Sequence, residues 1–215
     1  MMKDRVFISL LCGISLFFLI PLLHSGIPET HDGQAHIARF AAYYQAFQDG
    51  QFPARWAGNL NFGYGTPIFL FYYPLPGYMA SFLHLFGITF EDSFKFLLAI
   101  SFLAAPIFFY LWMRNLFDKW VSFVGALLYG FAPYHFLNLY VRGDVAELMA
   151  FVFVPLVFLF LEKNFQRQTI FLPLFGGIFY ALLILSHNGV SLMFSPVFLL
   201  YISFRSKTKK AFVFS

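Results

Sequence analysis

Apolar residues occur along this chain in long uncharged runs, not in the half-apolar periodic patterns of a water-exposed domain. Six runs stand out, at residues 6–23, 96–113, 121–139, 148–161, 169–186 and 189–204. Each predicts a membrane helix, because crossing the hydrocarbon core takes roughly 17 to 25 mostly apolar residues. The fourth run is short and predicts that its helix recruits residues 145–147 or thins the bilayer. A seventh stretch, residues 66–87, is apolar, but Pro67, Pro74, Pro76 and Gly77 break its first half.

Positive charge decides whether that seventh stretch crosses, since short cytoplasmic loops keep Lys and Arg. If it does not cross, Lys3, Arg5, Arg114, Lys119, Lys163, Arg167, Arg205, Lys207, Lys209 and Lys210 share the cytoplasmic side. If it does cross, only Lys3, Arg5, Lys95 and Arg142 remain there. The first arrangement is therefore expected. It gives six spans, a cytoplasmic amino terminus and residues 77–87 as a short amphipathic helix in the interface. Lys3 and Arg5 before an apolar run also describe a signal peptide. No small-x-small cleavage site follows in residues 21–29, so the first run is read as an anchor.

Composition supports the class. Of 215 residues, 60% are hydrophobic and 23% aromatic, and 11% are charged against roughly 25% in a soluble domain. Disorder is excluded by the same figures, and a disulfide scaffold by the single Cys. The expected fold is an all-α integral membrane protein of about six transmembrane helices with a long external first loop containing amphipathic juxtamembrane helices. It forms one membrane domain over residues 1–215, with an anchor helix at 6–23, an external loop at 24–91 and a helical bundle at 93–204. The location is a cell membrane, crossed several times.

In that topology His24, His31, His36, His84, His135 and His187 all lie on or beside the external face. Glu29, Asp32, Asp49, Glu91, Asp92, Asp144 and Glu147 join them. Acids and imidazoles gathered at one interface suit chemistry on a lipid-linked substrate. Uncharged span interiors speak against an ion-coupled transporter. The densest cluster is His31-Asp32-Gly33-Gln34-Ala35-His36-Ile37-Ala38-Arg39, at the start of a helix reaching about Gln48. Helical spacing puts Asp32, His36, Arg39 and Tyr43 on one face and Ile37, Phe40, Ala41, Tyr44 and Phe47 on the other, which predicts a helix lying flat on the membrane. Asp32 either takes a proton from an acceptor hydroxyl or caps the helix. Arg39 and His36 either grip phosphate, or Arg39 only snorkels.

A second cluster, Arg142-Gly143-Asp144-Val145-Ala146-Glu147, precedes the fourth span. Arg142 runs against the positive-inside bias, which a lipid-phosphate contact explains. Asp144 and Glu147 also suit a helix entrance. His187 closes the fifth span at the same face, as a substrate contact or a hydrated interfacial residue. His31 and His36 are badly spaced for zinc. Carboxylates of Asp32 with Asp144 or Glu147 suit magnesium or manganese if a phosphate adds ligands. The aromatic stretches at residues 52–56, 61–65 and 71–76 anchor the interface or form a platform for a sugar or prenyl tail. There is no phosphate loop, nucleophile elbow, nucleic-acid motif or internal repeat.

The anchor helix, the acidic opening His31-Asp32-Gly33, the Phe52-Pro53-Ala54-Arg55-Trp56 turn, the Gly63-Tyr64-Gly65 and Tyr73-Pro74-Leu75-Pro76 stretches and the paired spans together resemble the C-type membrane glycosyltransferase superfamily. Within it the likeness is to the membrane proteins called 6-pyruvoyl-tetrahydropterin synthase related. The three-His zinc set of the soluble pterin synthases is not reproduced. The resemblance implies an inverting transfer from a polyprenyl-phosphate sugar, with Asp32 as base. It implies donor-phosphate contacts from Arg142, Arg39 and His187, supported by His31 and His36, and a metal, if any, at Asp144 or Glu147. Family members commonly carry more spans. Residues 209–215 look like the start of another, so the chain is read as the amino-terminal part of a larger protein or as a reduced relative. The partners expected are membrane lipid, the lipid-linked sugar and either a protein partner or further spans, with no nucleic acid. Two alternatives are a non-catalytic binder of lipid-linked glycans, alone or assembled with a partner enzyme, and a transporter or flippase.

Overall fold

A computed structural model describes residues 2–167 and 169–208; the expected seventh span beginning at residues 209–215 lies outside them. The described chain is helical, with one isolated antiparallel bridge between Ala57 and Thr66. The helices are α1 (Met2–Leu19, continued by a 3-10 turn to Leu23), α2 (Gly33–Gln48), α3 (Leu75–Leu85), α4 (Phe90–Met113), α5 (Lys119–Gly130), α6 (Pro133–Phe136), α7 (Val145–Gln166), α8 (Phe171–Ser186) and α9 (Asn188–Thr208). A π-helical stretch, Leu137–Arg142, continues α6.

Of the six expected spans, four to five meet the length and apolarity of a membrane crossing. Among the described residues, four helical segments are long and apolar enough to cross a membrane: Asp4–Leu23, Phe90–Met113, Val145–Gln166 and Asn188–Ser206. A fifth exists if Lys119–Gly130 and Pro133–Arg142, bent by 40°, form one broken span. The break is local chemistry. Pro133 has no N–H to donate and pushes the preceding residue out of helical geometry, so Ala132 is extended at φ −59°, ψ 143°. The sixth candidate, α8, has 16 residues and falls short of the usual length. By contrast α7 does recruit Val145 to Glu147; its 22 residues reach about 33 Å.

Residues 24–91 are not an open loop. They fold into α2, α3 and short turns that sit on α4. At 11 residues, about 16 Å, α3 is too short to cross. It also does not lie alone in an interface. It packs on α2 where Gly77 meets the Tyr43 ring so closely that a Cβ there would collide with it.

Contacts fix the up-and-down order. Arg114 at the end of α4 bonds Asp4 at the start of α1 at 2.8 Å, while Lys95 near the start of α4 donates to the His24 carbonyl at 2.8 Å. Arg205 of α9 pairs with buried Glu162 of α7, which also accepts from Tyr201 at 2.7 Å. Basic residues Arg114 and Arg205 thus share one end of the bundle. The entrances of α2, α4 and α7 and the α8–α9 junction share the other. The core lies between them, where Leu19, Leu22, Phe40, Phe94, Leu97, Leu98 and Leu148 pack together. α7 is the central helix, packed chiefly on α4 and α8.

Candidate functional site

The site is built at the end of the bundle opposite Arg114 and Arg205. Its scaffold is the π-helical stretch, closed by Gly143 at φ +67°, a left-handed conformation that glycine adopts without strain. A helix end leaves carbonyls without partners. Two of them, on Val141 and Arg142, accept from the His31 and Asp32 amides at 2.9 and 2.8 Å. The first acidic cluster is thereby pinned beside the second, although more than a hundred residues separate them.

Asp32 occupies the N-cap position of α2, as its spacing suggests, but its side chain makes no capping bond. The Thr30 hydroxyl does that work instead, accepting from the Gly33 amide at 3.1 Å. The half-buried Asp32 carboxylate is therefore not engaged in holding the helix.

Around Arg142 the opposite holds. Its Nη1 donates to Asn138 Oδ1 at 2.7 Å, to the Tyr134 hydroxyl at 3.1 Å and to Glu147 Oε2, and its Nη2 donates to Asp144 Oδ2 at 2.8 Å. Asp144 Oδ1 accepts the Glu147 amide at 3.0 Å, capping α7, and Glu147 Oε1 accepts from the Tyr134 hydroxyl at 2.9 Å. Both carboxylates are buried and all four of their oxygens have donors. Burial pushes the Asp144 carboxyl above its ordinary range, against the Glu147 amide and the Arg142 guanidinium, which pull it down.

His187 stands beside these acids: one ligand atom from each of Asp144, Glu147 and His187 lies within 4.8 Å of the others. The trio nevertheless does not fit a divalent cation as arranged. Arg142 already occupies one oxygen of each carboxylate and offsets one of their two charges. His187 Nδ1 accepts the Val190 amide at 3.1 Å, which fixes the neutral ring as the Nε2–H tautomer with no lone pair left for a metal. The His187 ring is stacked on Tyr73 at 4.6 Å between centroids, and its Nε2–H is the ring's donor.

The expected face of α2 points the other way. His36 and Tyr43 are buried, so the Asp32, His36, Arg39, Tyr43 face turns into the protein, under residues 69–78 and against Phe94, and Phe40 at the edge of the apolar stripe is buried with it. Burial, helped by the neighbouring Arg39 charge, pushes the His36 imidazole down to about 3, so it is neutral at pH 7 and brings no charge to a phosphate. Arg39 stacks its guanidinium 4.0 Å over the Tyr72 ring, and its Nη1 is buried with no hydrogen-bond partner among the described residues. Tyr72 and Tyr73 adjoin at 4.3 Å. Burial first, then the Tyr72 hydroxyl and the Asp144 charge, raise the Tyr73 phenol well above its usual value, while Arg39 opposes. A continuous polar lane therefore runs from Arg39 through Tyr72 and Tyr73 to His187, Asp144, Glu147 and Arg142. His31 lies outside it, exposed, on the wall of a cleft of about 510 Å³ formed with Glu29, Gln34 and Tyr140. Tyr134, Asn138 and Thr30 carry no signal in the sequence, and Tyr72 and Tyr73 stand there only within an aromatic stretch that reads as an interface anchor or a platform. Their roles come from tertiary contacts that no local spacing announces.

The fold and this site define a polytopic membrane protein with acid, imidazole and guanidinium groups assembled at one end of its helices. Residues 69–215 match the family described as 6-pyruvoyl-tetrahydropterin synthase related domain, membrane protein, and the chain belongs to that family. It is 24% identical over 203 residues to a protein of Lactococcus lactis subsp. cremoris (strain MG1363) described as an uncharacterized protein. The alignment covers 92% of this chain and 33% of that one, so the chain spans about a third of the length of the curated relative it matches. No solved structure matches.

Proposed function

We propose that this chain carries the acceptor-activating and phosphate-binding part of a membrane glycosyltransferase that uses a polyprenyl-phosphate sugar, with the site end facing the outside of a cell membrane. The observation that carries the proposal is the unengaged Asp32 carboxylate, tied through its own amide to the Arg142 carbonyl. Asp32 takes the proton of an acceptor hydroxyl as that oxygen attacks the anomeric carbon. The bond from that carbon to the phosphate oxygen breaks with inversion and leaves the lipid phosphate. Arg39 is the phosphate contact best supported by its surroundings, because a guanidinium with a buried, unpartnered N–H gains most from an anion. Arg142 organises the site by fixing Asp144 and Glu147, and the His187 Nε2–H supplies a donor beside them. The cleft at His31 and Gln34 has room for a hydrophilic acceptor. No step is routed through a metal.

The test is transfer of label from a polyprenyl-phosphate-linked hexose by the purified chain in proteoliposomes. Asp32→Asn removes the proton acceptor at nearly constant size, so turnover is expected to fall by about 10²-fold or more with helicity and melting unchanged. Wild-type turnover in that variant overturns the assignment of the base. A second reading, binding of lipid-linked glycans without transfer, is favoured by the engagement of both Asp144 and Glu147 by Arg142. It predicts donor binding that Arg39→Ala abolishes and Asp32→Asn leaves intact, with no product from either protein.

A further inference from the structure

Outside the site, a groove of about 390 Å³ lies between α1 and α4. Leu16, Leu19 and Leu23 form one wall and Phe96 and Ala99 the other, with Asp92 and Lys95 at the mouth. Leu16, Leu23 and Phe96 are exposed, as side chains facing lipid would be. The groove sits at the end of one candidate span, Asp4–Leu23, and the start of another, Phe90–Met113. That places its mouth at headgroup depth and its floor among acyl chains.

The two charges at the mouth are one helical turn apart on α4, yet they form no ion pair with each other among the described residues. Lys95 Nζ donates to the His24 carbonyl at 2.8 Å, which spends one of its three hydrogens and holds the ammonium over the leucines. Asp92 Oδ2 accepts from the Thr89 hydroxyl at 2.8 Å, and its other oxygen has no partner of that kind. An ammonium and a carboxylate held separately above an apolar slot complement a headgroup that carries a phosphate and a primary ammonium side by side.

We propose that this groove is a binding site for a zwitterionic phospholipid with a primary ammonium headgroup, phosphatidylethanolamine in chemical class. Its phosphate sits on Lys95, its ammonium on Asp92 and one acyl chain along Leu16, Leu19 and Leu23. Phosphatidylcholine satisfies Lys95 but cannot donate a hydrogen bond to Asp92. Phosphatidylglycerol has no cation for Asp92 at all. The site is independent of the proposed transfer chemistry, and neither Lys95 nor Asp92 belongs to that machinery.

The experiment is native mass spectrometry of the delipidated full chain in detergent, titrated with phosphatidylethanolamine, phosphatidylcholine and phosphatidylglycerol of matched short chains. Phosphatidylethanolamine is expected to bind about fivefold more tightly than either competitor, the scale of one favourable interfacial charge contact. Lys95→Gln keeps a donor for the His24 carbonyl but removes the charge, and should weaken phosphatidylethanolamine by a similar factor. Asp92→Asn should erase the preference over phosphatidylcholine. Circular dichroism melts of both variants, expected to match wild type, separate a lost contact from a lost fold. Equal binding of the three lipids overturns the site. So does a preference for phosphatidylglycerol, or a phosphatidylethanolamine preference that survives both substitutions in folded protein.

Discussion

The Asp32 amide donates to the Arg142 carbonyl at 2.8 Å, joining the entrance of α2 to the end of the π-helical stretch main chain to main chain. The same junction brings Thr30 against Gly143, where an added Cβ would strike the Thr30 side chain. Gly143→Ala therefore meets two penalties, a left-handed backbone and a steric one. It is expected to lower stability by about 1–3 kcal/mol, read as a lower melting temperature in detergent. Loss of turnover should accompany it, because Asp32 loses its anchor.

Arg142→Ala leaves the Asp144 and Glu147 carboxylates buried without their cation. Breaking a buried pair costs roughly 3–5 kcal/mol. The Arg142 side chain is 31% exposed, so about 2 kcal/mol is the better expectation. Adding Glu147→Gln to that variant should recover part of the loss, and a double-mutant cycle on melting measures how much.

His36 makes the fold acid-sensitive. Its pKa, depressed to about 3 by burial, means that the unfolded chain binds a proton between that value and the ordinary 6.5 while the folded chain does not. Stability from this group is complete above about pH 6.5 and falls as the pH drops toward 3. From pH 7 to pH 5 the loss is about 2 kcal/mol. His36→Gln removes that slope, so the difference between the two proteins across this range isolates it from every other titration.

Chelation is a direct check on the acid cluster. With Arg142 holding both carboxylates and His187 Nδ1 occupied by the Val190 amide, EDTA is expected to leave melting unchanged, and millimolar magnesium or manganese should not raise it. A metal-dependent shift that Asp144→Asn abolishes would overturn this account of the trio.

Helix existence was legible in the chain, and helix ends only in part: α2 runs from its Asp32 N-cap position to Gln48 as its spacing indicates, while α4 starts earlier than its apolar run. An uncharged run located α4, but its true start, Phe90, takes in Glu91 and Asp92, which lie outside that run, whereas α7 starts at Val145 and takes in the residues 145–147 that its short run calls for. Glu91, Asp92 and Glu147 belong in a first turn, where Thr89 and Asp144 cap the helix and the dipole favours negative charge. The break in the third run was written as Gly130-Phe131-Ala132-Pro133, yet its apolarity hid it. For α2, spacing correctly grouped Asp32, His36, Arg39 and Tyr43, but periodicity cannot say which face turns inward. Segment 69–78 buries the polar face, and only tertiary structure supplies that segment. Arg142, Asp144, Glu147 and His187 were readable as residues at one interface. Their mutual engagement depends on distances that no sequence spacing encodes.

The family match opens at residue 69, but the core that joins Phe94, Leu97 and Leu98 to Leu19, Leu22 and Phe40 does not respect that border. Excising residues 69–215 as a stand-alone piece would strip α4 of two neighbours and lay bare a seam of aromatic and leucine side chains. The matched stretch marks shared ancestry, and the packed unit to which it belongs is longer, reaching back to the first helix.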